Sequence, residues 1–428
     1  VPGPALTGEA AAALLAEGTP LADALDVHDP RAWLALDAGV RQSQWSGGLQ
    51  RREYTTRLDD PGMLDEPRLA LALSHRDGRI RRRALAFAAG RPVLLPLVVI
   101  RAADWAEPVR EQARKLLDDA LDLDTAVALA PLILLVGRRH RGDHAVDLLT
   151  AALRAVPVGR LAPLLRHADR AVRRFTHRLA VDARMLPAAE LAATAARDDD
   201  VVVQRLCSDA ALAAVAEGRG TVDDVLAPLL AARNPHARAT GVTALRRAGR
   251  PERAEAFLAD RSALVRACAR YVVRQYGTDP LPWYRHRCAA PGDPALPPGA
   301  VIGLAECGER ADAALLRPLT AHPDPRVRAQ AVAGLRVLDV DVRDLWPLLE
   351  DPSAGVVREV TRALLPTSRS LDPEWLAGLL APERPGATRI AAVRLLDAYA
   401  GPVRLRAAAA RVDDPDERVR RWAVAVVG

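Results

Sequence analysis

Apolar positions recur along this chain in one arrangement: a small polar residue, an apolar–arginine pair three positions on, and a small residue four positions after the apolar one. The phrase reads Asp77…Ile80-Arg81…Ala84, Asp169…Val172-Arg173…Thr176, Asn234…Ala237-Arg238…Gly241, Asp324…Val327-Arg328…Ala331 and Asp416…Val419-Arg420…Ala423. Weaker copies are anchored at Val109, Arg141, Val203, Val265, Val301, Val357 and Thr388. The twelve anchors run from 80 to 419, so eleven steps cover 339 residues, a mean of 30.8. A fixed period in this range marks a stacked helical array, in which each unit buries its apolar face against its neighbours.

The phrase also predicts how each unit folds. Asp324-Pro325-Arg326-Val327 reads as a helix start, with the Asp side chain accepting from free first-turn N–H groups and proline in the first helical position. Asp or Asn stands three residues before the anchor at 77, 169, 200, 234, 324 and 416. Four residues after the anchor the chain carries only Ala, Thr, Cys or Gly, in all twelve copies, which predicts close helix–helix approach there. Upstream lies a second phrase, as in Leu161-Ala-Pro163-Leu-Leu, Leu226-Ala-Pro228-Leu-Leu and Leu345-Trp-Pro347-Leu-Leu. It predicts a first helix with proline in its first turn or at a bend. The expected fold class is therefore all-α, an α-solenoid of about twelve to thirteen two-helix repeats.

Two regions depart from the period. Residues 1–60 predict a degenerate N-terminal capping repeat: a helix starts at Asp29-Pro30, Leu36 takes the small position, and Trp45-Ser-Gly-Gly48 reads as a loop. Residues 61–278 are expected to form repeats. The Pro-rich stretch 279–300 reads as an irregular insertion or hinge, because the anchor spacing there runs 36 and then 26, and 301–428 resume the repeats. Trp422–Gly428 ends inside an apolar helix, which reads as a truncated piece of something longer.

Composition narrows the reading. Half of the residues are hydrophobic but only 4% are aromatic, so Ala, Leu and Val must build the core. Of the 60 basic residues, Lys115 is the single lysine and 59 are arginine, a bias that a G+C-rich bacterial genome explains without any nucleic-acid partner. Four scattered cysteines form neither a disulfide framework nor a CxxC metal site, and a reducing compartment fits them. The longest apolar run, 126–137, has 12 residues, short of the about 20 a membrane span needs. Val1-Pro2-Gly3-Pro4 does not resemble a signal-peptide start, so the cytoplasm is expected and no membrane association.

A unit of about 31 residues with Asp-Pro-x-Val-Arg-x-x-Ala and an upstream Pro-Leu-Leu resembles the HEAT-like repeats of the phycobilin-lyase type over roughly residues 60–428. The resemblance implies that second helices line a concave face. It also implies a ladder between repeats made by the turn Asp and the Arg after the anchor, with Asp169/Arg173, Asp324/Arg328 and Asp416/Arg420 as members. The HEAT-like deoxyhypusine hydroxylases carry His-Glu dyads for iron, and none of the nine histidines here precedes a glutamate. Repeats of this kind serve scaffolds, lyases and nucleic-acid enzymes alike, so function must be read from a site.

Candidate chemistry is sparse. His140-Arg-Gly-Asp143-His144 could hold a metal on an uninterrupted helix, but Gly142 intervenes and no third ligand set matches, so a solvated turn is expected. No phosphate loop, nucleophile elbow or Cys/His signature is visible; no catalytic residue, cofactor or metal is assigned, and a non-enzymatic protein is expected. Two patches stand out. Residues 138–178 hold ten arginines against three acids, a net +7, with Arg170, Arg174 and Arg178 as candidate partner contacts. Residues 270–287 combine aromatics with arginine in Arg270-Tyr271-Val-Val-Arg274-Gln-Tyr276 and Trp283-Tyr284-Arg285-His286-Arg287, nominating Tyr276, Trp283, Tyr284, Arg285 and Arg287. The preferred expectation is a scaffold that binds a protein partner on its concave face. The alternative is a nucleic-acid-binding protein, with or without base chemistry, that uses 138–178.

Overall fold

A computed structural model describes residues 7–45 and 65–428, with backbone only at 43–45. The chain divides into two compact units, Val1–Arg219 and Gly220–Gly428. Both are built of helical hairpins, and the described residues contain no strand.

In unit 1, α1 (Gly8–Ala16), α2 (Leu21–Ala24) and α3 (Pro30–Trp45) precede five hairpins. These pair α4 (Glu66–Leu73) with α5 (Gly78–Ala88), α6 (Leu95–Arg101) with α7 (Glu107–Ala120), α8 (Leu123–Val136) with α9 (Asp143–Arg154), α10 (Ala162–Leu165) with α11 (Arg170–Asp182), and α12 (Ala188–Arg197) with α13 (Val201–Ala216). Helices α1 and α3 cross at Gly8 and Gly39, where a Cβ on Gly39 would stand 2.1 Å from the Gly8 carbonyl carbon. α3 then packs against α6 and α8. Trp45 ends α3, while Ser46–Gly48 of the expected loop and the Val1–Pro4 start lie outside the described residues.

Unit 2 continues with α14 (Val222–Leu230) and α15 (Pro235–Arg247), α16 (Glu252–Glu255) and α17 (Ala263–Gln275), α18 (Leu281–Cys288) and α19 (Pro298–Cys307), then α20 (Ala313–Leu316) and α21 (Pro325–Val337). A 3-10 helix Arg343–Glu350 precedes α22 (Ala354–Leu364), and α23 (Pro373–Gly378) with α24 (Gly386–Leu396) and α25 (Pro402–Ala409) with α26 (Glu417–Val427) follow. Within 279–300 the chain forms α18, a turn over 289–297 and the first residues of α19.

Local chemistry accounts for these elements. Asp77, Asp169, Asp200, Asn234, Asp324 and Asp416 each accept from the backbone N–H two residues on, satisfying one of the unpaired donors of a helix start. First helices are short where proline removes a donor: Pro163 sits in the first turn of α10, and Pro347 lies inside the tighter 3-10 helix. The small positions are sealed, with Ala84, Ala113, Thr176, Cys207, Ala269, Ala331, Ala392 and Ala423 at 0% exposure. A continuous apolar core runs from α1 to α11 in unit 1 and another from α14 to α26 in unit 2, and Ala, Val and Leu make up most of both.

Candidate interaction surface

Five guanidiniums tie neighbouring repeats together. Arg81 Nη1 donates to the carbonyls of His75 (2.7 Å) and Arg76 (2.8 Å), closing its own turn. Its Nε and Nη2 fork onto Asp104 of the next repeat at 2.9 and 2.7 Å. Arg238 does the same with Asp260 (2.9 and 2.8 Å), and Arg328 with Asp351 (2.8 and 2.9 Å). Arg173 reaches Asp198 (3.3 Å) and Asp199, and Arg389 reaches Asp414. Each of Asp104, Asp198, Asp260, Asp351 and Asp414 also accepts the N–H two residues on, that of its own helix cap, at 2.7–3.0 Å. One carboxylate thus fixes the turn of its repeat and receives the preceding repeat.

This corrects the ladder expected from the sequence. The acceptor is the Asp two residues before the cap, not the cap itself. Asp169, Asp324 and Asp416 spend an oxygen on their own helices, accepting from Ala171, Arg326 and Arg418. Arg420 closes only its own turn, onto the Asp414 carbonyl at 2.7 Å. Where the acceptor position holds His75, His167 or His322, the ring Nδ1 takes the cap N–H instead, at 2.9–3.0 Å. Burial acts to raise the Asp104 carboxyl, but the Arg81 hydrogen bonds and the Arg101 charge outweigh it and hold that group below the usual range.

The pattern changes at Arg266, because the position its guanidinium would reach holds Ala295. Arg266 Nη1 still closes its turn on the Asp260 carbonyl (2.7 Å), but its Nε and Nη2 turn to Glu306 on α19. Arg270 Nη1 joins the same carboxylate at 2.8 Å. Tyr284 fills the space behind them: its hydroxyl donates to the Leu258 carbonyl at 2.7 Å, and its ring lies on Gly303, where a Cβ would meet Cε1 at 2.3 Å. Helices α15 and α17 pack closely, as do α19 and α21, whereas α17 and α19 stand apart.

That gap is a cleft of about 380 Å³ lined by Arg270, Tyr271, Arg274, Gln275, Glu306 and Cys307. Burial acts to raise Glu306, but Arg266 and Arg270 hold its carboxyl below the usual range. Burial pushes the Cys307 thiol up, away from the nucleophilic thiolate. Tyr271 is 42% exposed, accepts from Arg246 Nη1 at 2.6 Å, and carries that guanidinium over its ring at 5.8 Å from the centroid. Three guanidiniums of α17 face one carboxylate, beside an exposed aromatic face. This is the chemistry of recognition.

The sequence candidates separate in space. Tyr276 is exposed and folds back onto the Arg246 carbonyl at 2.7 Å. Tyr284 is a core residue, fully buried, with its hydroxyl pushed up to about 12 by burial, so it meets no partner. Trp283 packs edge-to-face on it at 5.0 Å, at the margin of the core. Arg285 forks onto Asp312 (2.6 and 3.1 Å), and Arg287 approaches the Ala295 carbonyl at 3.4 Å. In unit 1, Arg174 is not a free basic residue, since it forks onto Asp200 at 2.7–3.1 Å. Arg170 and Arg178 are exposed and make no ion pair among the described residues. Arg170 shares a cleft of about 460 Å³ with Arg31 and Arg173, facing Asp169, Asp199 and Asp200, so positive and negative groups alternate there. His144 pairs with Asp118 at 2.8 Å, and no cluster of metal-ligating side chains occurs among the described residues. None of the cleft's lining residues was among the nominated contacts: Arg270, Tyr271, Arg274 and Gln275 stood in the aromatic patch, and Glu306 and Cys307 lay outside it. The 36-residue step beside them was the available signal.

The fold and the ladder define an all-α protein of stacked two-helix, HEAT-like repeats. No protein-family model matches the chain, and no curated protein matches it in sequence. Among solved structures it is similar to an engineered protein, at 14% identity over 84% of this chain and 97% of that one, with a TM-score of 0.21. It is also similar to a chain from a study of tubulin recruitment by microtubule polymerases with tumor overexpressed gene domain arrays. There the identity is 11% over 92% of this chain and 97% of that one, with a TM-score of 0.24. No described helix is long and apolar enough to cross a membrane.

Proposed function

We propose that the protein is a non-enzymatic interaction scaffold, and that unit 2 receives a protein partner on its second-helix face around the α17/α19 cleft. The observation that carries the reading is the cleft itself. A skipped ladder rung parts two second helices, and the opened space is lined by arginine donors and an exposed tyrosine. Arg and Tyr are the residues that dominate binding energy at protein interfaces, and a partly enclosed position lets their contacts exclude water. The concave placement of this face follows the resemblance to HEAT-like repeats. The basic segment 138–178 supports nucleic-acid binding less well, because Arg160, Arg173 and Arg174 are already paired with Asp124, Asp198/Asp199 and Asp200.

The test is affinity capture from the source organism with the full chain and with the Tyr271→Ala/Arg274→Glu variant, each bound protein being identified by mass spectrometry. The reading predicts a partner retained by the native chain and lost by a variant whose helical signal and melting are unchanged. Capture that ignores the variant, together with steeply salt-dependent binding of generic duplex or single-stranded DNA, contradicts it.

A further inference from the structure

We infer that the α17/α19 cleft holds a carboxylate side chain of an acidic, extended polypeptide segment, and that arginines at the ends of neighbouring second helices hold further carboxylates at one per repeat. The inference rests on the scaffold reading above and specifies the partner's chemistry. Arg274 lines the cleft without an ion pair of its own among the described residues, next to Arg270, which is largely buried. Glu306 is occupied by Arg266 and Arg270, so three guanidiniums against Glu306 and the nearby Asp279, whose charge reaches Cys307, leave the site positive. Tyr271 closes one side with an aromatic face that suits the methylene stem of Glu or Asp.

The pattern extends by register. Arg246, Arg274 and Arg336 stand in the last turns of α15, α17 and α21, each nine residues after its anchor at Ala237, Val265 or Val327. Arg310 follows α19 at the same distance from Val301, where it donates to the carbonyl and carboxylate of the exposed Asp339, so a partner's carboxylate would compete with Asp339 there. Arg246 is continuous with the cleft through Tyr271. No other repeat carries Arg nine residues after its anchor. Over 237–337 the chain holds 16 arginines against nine acids.

Spacing favours polypeptide over nucleic acid. Packed helices such as α15/α17 and α19/α21 lie about 8–10 Å apart, and an extended chain rises about 3.3 Å per residue, so acids at every third residue meet the two arginines of a packed pair, with a longer step across the α17/α19 gap. A nucleic-acid strand presents a charge about every 3.4 Å, far denser than one guanidinium per repeat, and the fixed Glu306 carboxylate opposes a continuous polyanion.

The experiment uses the full chain and fluorescein-labelled 12-residue peptides by fluorescence anisotropy. One peptide carries four Glu at every third position among Gly and Ser, its isomer carries the four Glu in a block, and a 12-nucleotide thymidine strand is the competitor. The inference predicts that the spaced peptide binds about tenfold tighter than the block isomer, that Arg274→Glu weakens it about tenfold or more (about 1.4 kcal/mol per tenfold), and that Arg178→Glu in unit 1 changes nothing. Arg274→Gln serves as a milder second variant, and since Arg274 is exposed both should keep the native melting curve. Equal affinity for the two isomers, indifference to Arg274→Glu, or displacement of the peptide by equimolar oligonucleotide overturns the inference. If the peptides fail while partner capture still depends on Tyr271, the carboxylate assignment falls and the scaffold reading stands.

Discussion

The buried rung between Arg81 and Asp104 gives the sharpest energetic prediction. Both side chains are sealed, at 0% and 1% exposure, and Asp104 also meets Arg101 at 3.1 Å. Arg101 in turn pairs with Asp37 of α3, which also meets the half-buried Arg41 at 3.3 Å, so the sealed Arg81, Arg101, Asp37 and Asp104 sit beside a third guanidinium inside unit 1. Burial lowers Arg101 to about 10. Asp104→Ala removes one of the two carboxylates of this cluster, strands Arg81 without a counter-ion, takes one partner from Arg101, and frees the Ala106 N–H. Removing one partner of a buried pair costs about 3–5 kcal/mol. Asp77→Ala, in the same repeat as Arg81, removes only a helix cap and costs about 1 kcal/mol. The double variant Arg81→Met/Asp104→Ala restores the original charge balance and should recover part of the loss. Urea unfolding followed by far-UV circular dichroism measures all three, with hydrogen exchange over α5–α7 to localise the effect. Equal costs for Asp77→Ala and Asp104→Ala, or a double variant less stable than Asp104→Ala alone, would refute the reassigned ladder.

Further outcomes follow from the same structure. Ala331→Leu, at a sealed small position, should cost about 1–3 kcal/mol by overpacking, whereas Ala151→Leu on an exposed face of α9 should leave the melting temperature within error. The Glu306 carboxyl is held below its usual value, so its stabilising contribution is present at neutral pH and lost as pH falls through that lowered value. The stability gap between native chain and Glu306→Gln should therefore begin to narrow as pH falls below the ordinary Glu value of about 4.3 and close through the lowered folded value, and a gap that widens on acidification would contradict the assignment. Burial pushes Cys207 and Cys288 up to about 12, so neither thiol should react with iodoacetamide at pH 7.5 until denaturant is added, as mass spectrometry of the labelled peptides will show.

Elements that depend on neighbours in sequence were legible before the structure. A cap Asp and the helix it starts are adjacent, and the small residue four positions after the anchor repeats too regularly to miss. The ladder acceptor was obscured because its partner lies 22–25 residues away and because His alternates with Asp at that position. A signal existed in the chain itself. Arg81, Arg173, Arg238, Arg328 and Arg389 each precede a repeat with Asp at the acceptor position, and Gly142, Gln204 and Ile302 precede His167, Ala232 and His322, although Arg110, Arg266 and Arg358 precede His140, Ala295 and Glu383 and break the correspondence. Tyr284 shows the opposite limit. Its aromatic and arginine neighbours suggested a surface, but the glycine it packs on is 19 residues later, and only the fold brings Gly303 beneath the ring. The cleft was half legible: Arg270, Tyr271 and Arg274 stood in the aromatic patch, whereas Glu306 entered through the missing rung at Ala295.

Hydrogen–deuterium exchange of the full chain, free and bound to the partner captured in the affinity experiment, tests the central claim most directly. Backbone amides that a partner covers exchange more slowly, and the effect is read segment by segment. The account predicts added protection in 263–275 and 298–307, with weaker protection at the ends of α15 and α21 and none in 138–178. Protection confined to 138–178, with unit 2 unchanged, would contradict it.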